Sequence, residues 1–115
     1  MDTRGTLKKN SDFRRLYAKG KSAVNPYMVL YCRRNSLGVN RLGYTVSTKL
    51  GHAVVRNRVR RRLREICRLN SPAMKTGFDI VVVARSRCVN ARYAKMDAAF
   101  LEACGTLGLL REDRP

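Results

Sequence analysis

The chain reads as an α+β sandwich in which three helices pack on one small sheet. Three observations predict it. Apolar residues recur at helical spacing in three stretches. Shorter β-branched stretches between them alternate or run continuously apolar. The two kinds of segment follow one another as helix, strands, helix, strand, helix along 115 residues. That length suits one domain, 1–115, and 44% apolar residues supply a real but modest core.

Residues 1–9 read as a basic, poorly ordered arm. Asn10 and Ser11 are of the type that caps a helix N-terminus, and Asp12 adds favourable charge to a first turn. Phe13, Leu16 and Tyr17 stand at i, i+3 and i+4 and share one helix face, and Gly20 suits the stop. Residues 21–25 fit either a short strand or a turn. Tyr27 to Arg34 reads as a strand with Met28, Leu30 and Cys32 on one face and Tyr27, Val29, Tyr31 and Arg33 on the other. Asn35, Ser36, Gly38 and Asn40 mark a loop. A second strand, Leu42 to Thr48, is expected to pair with the first as an antiparallel hairpin.

After Gly51 comes AVVRNRVRRRLREICRL, residues 53–69. At about 100° per residue, Val55, Val59, Leu63 and Ile66 form one apolar stripe. Asn57, Arg60, Arg61, Arg64 and Arg68 take the opposite face. Arg62 falls at the stripe's edge, where a long stem can be buried with its head in water. Pro72 ends the helical region. FDIVVVA, residues 78–84, is a near-continuous apolar run of strand length, as expected for a buried central strand. A last helix is expected from about Asn90, with Tyr93, Met96, Phe100 and Ala103 at helical spacing and Gly105 near its end. Residues 106–115 are left as a C-terminal tail.

Charge dominates the composition. There are 25 Lys plus Arg against 8 Asp plus Glu, a formal net charge of +17 and a pI near 10.9. A surface made basic only for solubility would leave the compact state repelling itself; a polyanionic partner relieves that repulsion. Nucleic acid and anionic membrane are the two such partners. No apolar stretch approaches the ~20 residues of a membrane span, and MDTRGTLKKNSDF lacks the apolar centre of a signal peptide. The expected location is therefore the cytoplasm. The four cysteines, Cys32, Cys67, Cys88 and Cys104, contain no C-x-x-C pair, and His52 is the only histidine. Neither a zinc site nor a disulfide framework is expected; the cysteines read as small buried apolar residues.

The basic helix carries R-N-R at Arg56, Asn57 and Arg58, then R-R-R at 60–62. Arginines on one helix face can fork onto phosphate oxygens, and Asn57 can hydrogen-bond a base or a sugar. A merely solvated face usually mixes both signs of charge, and Glu65 is the only acid in this segment. An amphipathic membrane-surface helix is the other reading, but its apolar stripe is needed by the core.

These segments together resemble the protein family of bacterial ribonuclease P. GHAVVRNRVRRRLRE is similar to the family's R-N-R signature. LKKNSDFRRLYAKG, residues 7–20, is similar to its first helix. VLYCRR (29–34) and RLGYTVSTKLG (41–51) are similar to the strands before the basic helix, and FDIVVVAR (78–85) to the strand after it. The resemblance runs from residue 7 to about 104. It implies a small mixed sheet of about four strands with three helices, a two-layer sandwich with an unusual left-handed β-α-β crossover around the basic helix, where the default would be right-handed.

The resemblance also implies a role. The family's protein binds a large catalytic RNA, and together they form an endoribonuclease that removes the 5′ leader of precursor tRNA. On this chain the RNA-subunit contacts would be Arg56, Asn57, Arg58, Arg60, Arg61, Arg64 and Arg68, with the R-N-R region near the cleavage site. The leader would lie in a cleft whose aromatic residues match Phe13, Tyr17 and Tyr31. Tyr17 stands where Phe is common in the family, and the ring is kept. Aromatic faces beside a basic rim suit a single strand, because any base can stack on them. Phe13 and Tyr17 can also be read as core, and helix spacing alone favours core for Phe13; the cleft role is what the resemblance implies, while Tyr31 alternates away from the Met28–Cys32 face. His52 reads as a cap or loop residue.

The acids, Asp2, Asp12, Glu65, Asp79, Asp97, Glu102, Glu112 and Asp113, show no metal-site spacing, and a lone histidine gives no acid–base pair. The chain therefore argues against self-contained catalysis, and the resemblance implies that the chemistry belongs to the RNA subunit and to Mg²⁺ bound through it, with no cofactor expected on the protein. The expected partners are that RNA and precursor tRNA, with no membrane and no further protein. A structural ribosomal protein or RNA chaperone would share the charge and the basic helix, but it needs no single-strand cleft. A self-contained nuclease would need the missing acid–base set.

Overall fold

Residues 6–112 are described in the computed structural model. Helix α1 spans Asn10–Lys19, and its N-cap is Lys9, which offers no side-chain acceptor. Asn10 and Ser11 thus join Asp12 in the first turn instead of preceding it. Asp12 there still meets the positive end of the helix dipole. Gly20 ends the helix because the backbone crowds it. A Cβ there would lie 2.6 Å from the Leu16 carbonyl oxygen and 2.9 Å from that of Cys32.

Four strands follow: β1 (Lys21–Val24), β2 (Met28–Arg34), β3 (Arg41–Thr45) and β4 (Phe78–Ala84). Residues 21–24 are thus strand, not turn. The sheet order is β1-β2-β4-β3. β2 pairs antiparallel with β1 and β4, and β3 pairs parallel with β4, so the sheet is mixed. The expected hairpin of β2 with β3 does not form, because β4 lies between them. β4 is the most continuously apolar strand, and the centre of the sheet shields both of its edges. The intervening loop is held instead by side chains. Asn35 donates to Asp79 Oδ1 at 3.0 Å, and Asn40 accepts from the Phe78 N–H at 2.9 Å.

Helix α2 (Ala53–Asn70) connects β3 to β4, and α3 (Tyr93–Thr106) follows β4, starting three residues later than expected. A single 3-10 turn holding Pro72 closes α2. One face of the sheet, with Met28, Leu30, Cys32, Ile80 and Val82, packs on Val59, Leu63 and Ile66 of α2 and Met96, Phe100 and Cys104 of α3. The opposite face, through Val81, Val83 and Tyr31, packs on Leu16 and Phe13 of α1 and on Leu7. All four cysteines are free and buried, as their apolar reading requires.

Asn25, a buried polar residue, ties the β1–β2 turn to α3. Its Oδ1 accepts from the Tyr27 and Met28 N–H groups, and its Nδ2 donates to the Ala99 carbonyl at 3.0 Å. Two expectations for the chain ends need correction. Residues 1–5 of the proposed arm lie outside the described residues, but the part from Thr6 on is docked. Leu7 is buried and its N–H bonds the Leu42 carbonyl at 2.9 Å. The segment after α3 is docked as well, through buried Leu109 and the pairing of Leu110 with Met74, up to the described limit at Glu112. Both segments place a leucine on apolar surface that would otherwise face water.

Candidate nucleic-acid interface

Alternation along β3 builds one wall of a cleft. Gly43 faces α1, and a Cβ there would sit 2.6 Å from Phe13 Cζ and 3.1 Å from Leu7 Cβ. The missing side chain lets the Phe13 ring lie directly over the strand. Phe13 is therefore half-buried against the small core and also lines the cleft, so both of its sequence readings hold. Four residues on, Tyr17 is 41% exposed, and its hydroxyl bonds Thr45 Oγ1 at 2.7 Å. Tyr31 of β2 meets Tyr17 edge-on, with ring centroids 5.0 Å apart; Phe13 and Tyr17 are 6.5 Å apart. The three aromatic residues are thus brought together in one run across the α1 face.

The cleft beside them has a volume of about 520 Å³. Asn10, Phe13, Arg14 and Tyr17 line it from α1, Tyr44, Thr45 and Val46 from the end of β3, and Arg60 from α2. None of these is acidic. Arg14 and Tyr44 were not singled out from the sequence. For Arg14 a signal existed, since residues 10, 13, 14 and 17 share one helix face. Tyr44 gave none, because its place depends on β3 being an edge strand. Burial pushes the Tyr44 phenol well above its usual range; Cys67 adds to this and Arg64 opposes it. The Arg64 guanidinium lies 5.9 Å from the Tyr44 ring centroid, a cation–π approach. Burial likewise takes the Cys67 thiol up to about 12, with the Tyr44 hydrogen bond opposing.

The arginines of α2 fall into three groups. Arg56, Arg60 and Arg64 run along the edge facing β3 at i, i+4 and i+8. Arg60 Nη1 donates to Asn57 Oδ1 at 3.2 Å, and Arg56 Nε is buried without a hydrogen-bond partner among the described residues. Arg58 and Arg62 run along the other edge. Both are pinned to backbone carbonyls, Arg58 to Val89 at 3.2 Å and Arg62 to Ala91 at 3.0 Å. Arg62 is half-buried, as its place at the stripe's edge predicts, but its head is tied to the Ala91 carbonyl instead of standing in water. Arg61 and Arg68 point outward, but Arg68 is held by Glu65 at 2.6 Å, and that bond draws the Glu65 carboxyl below its usual range. His52 is the N-cap residue of α2, without a capping side-chain bond. Among the described residues, no three His, Cys, Asp or Glu side chains converge as a metal site would need.

The sequence profile of the family described as Ribonuclease P matches residues 1–108. The chain is 43% identical over 104 residues to the ribonuclease P protein component of Alkaliphilus oremlandii, covering 90% of this chain and 91% of that protein. A Thermoanaerobacter protein of the same description is 51% identical over 87 residues, 76% of this chain and 75% of its own. The fold superposes on the RNase P protein of Staphylococcus aureus with a TM-score of 0.85 at 31% identity, covering 93% of this chain and 98% of that one. For the Thermotoga maritima RNase P protein the TM-score is 0.79 at 34% identity, covering 86% and 94%.

Proposed function

We propose, from the premise that this chain belongs to the ribonuclease P protein family, that its aromatic cleft holds the 5′ leader of precursor tRNA while the arginine face of α2 meets the RNA subunit. Ribonuclease P is an endoribonuclease that matures tRNA 5′ ends, and in bacteria its RNA subunit carries the catalysis. The protein's part is to bind, orient and neutralise. The observation that carries the proposal is the Phe13–Tyr17–Tyr31 run, opening on a cleft lined by Arg14 and Arg60 and by no acid. Rings offer stacking to any base, and the two guanidiniums sit where a backbone threading past the rings would carry its phosphates. A purely structural RNA binder has no use for such a cleft.

Arg60 belongs to both surfaces, so it marks where leader and RNA subunit meet. Arg56, Asn57 and Arg58 begin the same helix and take the position nearest the cleavage site. Mg²⁺ bound through the RNA subunit would supply the metal chemistry of hydrolysis. The same reading gives a cytoplasmic ribonucleoprotein with the RNA subunit and precursor tRNA as partners and no requirement for a further protein. Among the described residues no helix is long and apolar enough to cross a membrane.

The test uses the reconstituted holoenzyme with Tyr17→Ala and Tyr31→Ala. Each should weaken precursor tRNA binding by about 1–3 kcal/mol, the worth of a stacked base. Mature tRNA, which has no leader, should bind as before. Equal weakening of both ligands would refute the cleft assignment.

A further inference from the structure

At the opposite end of the strands from the Phe13 cleft lies a second groove, of about 830 Å³. Lys19, Lys21, Arg33, Arg34 and Lys75 rim it, Phe78 forms part of its wall, and no acidic residue lines it. Lys19, Lys21, Arg33 and Lys75 make no side-chain hydrogen bond or ion pair with another described residue. Strand β2 leads into the groove from the aromatic run. Arg33 is two residues beyond Tyr31 and on the same face, while Arg34 turns to the other face, its guanidinium 5.8 Å from the Phe78 ring centroid. The two arginines therefore straddle the end of the sheet. The nearest acid, Asp79, is held by Arg41 at 2.6 Å and does not neutralise them.

We infer that this groove is a second strand site, which takes the phosphodiester backbone of leader nucleotides farther from the cleavage site, after the strand has passed the Tyr17–Tyr31 pair. The inference rests on the cleft reading above, and the direction follows from it. Arg60 and the start of α2 lie at the cleft end, so a leader entering there runs along the α1 face toward Arg33. Unpaired cations at that exit gain from each phosphate they meet, whatever the base. The half-buried Phe78 ring, already under Arg34, adds an apolar wall of the kind single strands use.

The experiment takes holoenzyme carrying the wild-type chain or the double variant Lys21→Gln/Arg33→Gln, and precursor tRNAs with leaders of graded length. Both side chains are exposed, and equal thermal unfolding of the two proteins checks the fold. Wild-type affinity should rise along the series. The variant should match it for leaders that reach only the aromatic pair, then level off, falling short by roughly tenfold for the longest, with a salt slope lower by roughly 0.7 for each phosphate left without its cation. A variant that tracks the wild type throughout overturns the inference. So does one that weakens every length and mature tRNA alike, which would place the two residues on the RNA subunit. Tyr17→Ala, measured on short leaders in parallel, separates the two claims. If it has no effect while the long-leader loss persists, the cleft reading and the path past the aromatic pair fail, and only the groove's own contact with the leader stands.

Discussion

Asp79 shows how single residues set the conditions under which the sheet holds. Burial alone would raise its carboxyl, but two hydrogen bonds from Arg41, at 2.8 and 2.6 Å, and one from Asn35 at 3.0 Å outweigh that and hold it below the usual carboxylate range. A depressed carboxyl contributes stability that is complete above its unfolded value and lost as pH falls through the folded one. Asp79→Asn should therefore cost about 1–3 kcal/mol near neutrality, with the gap to wild type closing in acid as the native carboxyl protonates. Urea midpoints across a pH series read this directly; a gap independent of pH would mean lost packing instead. Gly43 belongs to the same scale. A Cβ there meets the Phe13 ring, so Gly43→Ala should push the ring into the cleft and weaken precursor tRNA binding while sparing mature tRNA. Tyr31 was legible from alternation alone, because a strand's facing is a period of two. The reach of Phe13 was not, since helix spacing fixes a shared face but not the missing Cβ on the strand opposite.

Among the elements, α2 was the most legible and its division of labour the least. The periodicity gave the apolar stripe, and Val59, Leu63 and Ile66 are fully buried along it. It could not show that Arg58 and Arg62 reach the carbonyls of Val89 and Ala91, because that loop is far away in the chain. The arginines should consequently separate by experiment. Arg61→Ala and Arg64→Ala should each lower the log–log salt slope of RNA-subunit binding by roughly 0.7–0.9. Arg62→Ala should leave that slope nearly unchanged and lower the unfolding midpoint. Arg68→Ala should have the smaller slope effect of an already paired cation, and Glu65→Gln should release Arg68 and steepen the slope. A uniform effect across all of these would show that only total charge matters. The β2–β3 hairpin failed as an expectation for a related reason. Closeness in the chain favours pairing neighbours, but the strand with the most apolar surface, β4, gains most from the sheet's centre, and it arrives after an 18-residue helix.

For the whole molecule, the surplus of +17 is the property that no single interaction explains. No acid lines the cleft or the far groove, and Glu65 on α2 and Asp79 near the groove are each held by an arginine. The fold therefore presents positive potential on both sides of the aromatic run. Two polyanions, the RNA subunit and precursor tRNA, must approach each other for cleavage, and their repulsion is met either by divalent cations or by a basic protein between them. Protein and Mg²⁺ should then be partly interchangeable. RNA subunit alone should need more Mg²⁺ for half-maximal cleavage than the holoenzyme, and the gap should shrink as monovalent salt screens the protein's field. Protein freed of RNA should not cleave at any Mg²⁺ concentration. The decisive assay compares protein, RNA subunit and both across a Mg²⁺ series. Mg²⁺-dependent cleavage by RNA-free protein, abolished by changing one of its own acids, would move the chemistry onto this chain. An unchanged Mg²⁺ requirement on adding the protein would leave its charge without the bridging role argued here.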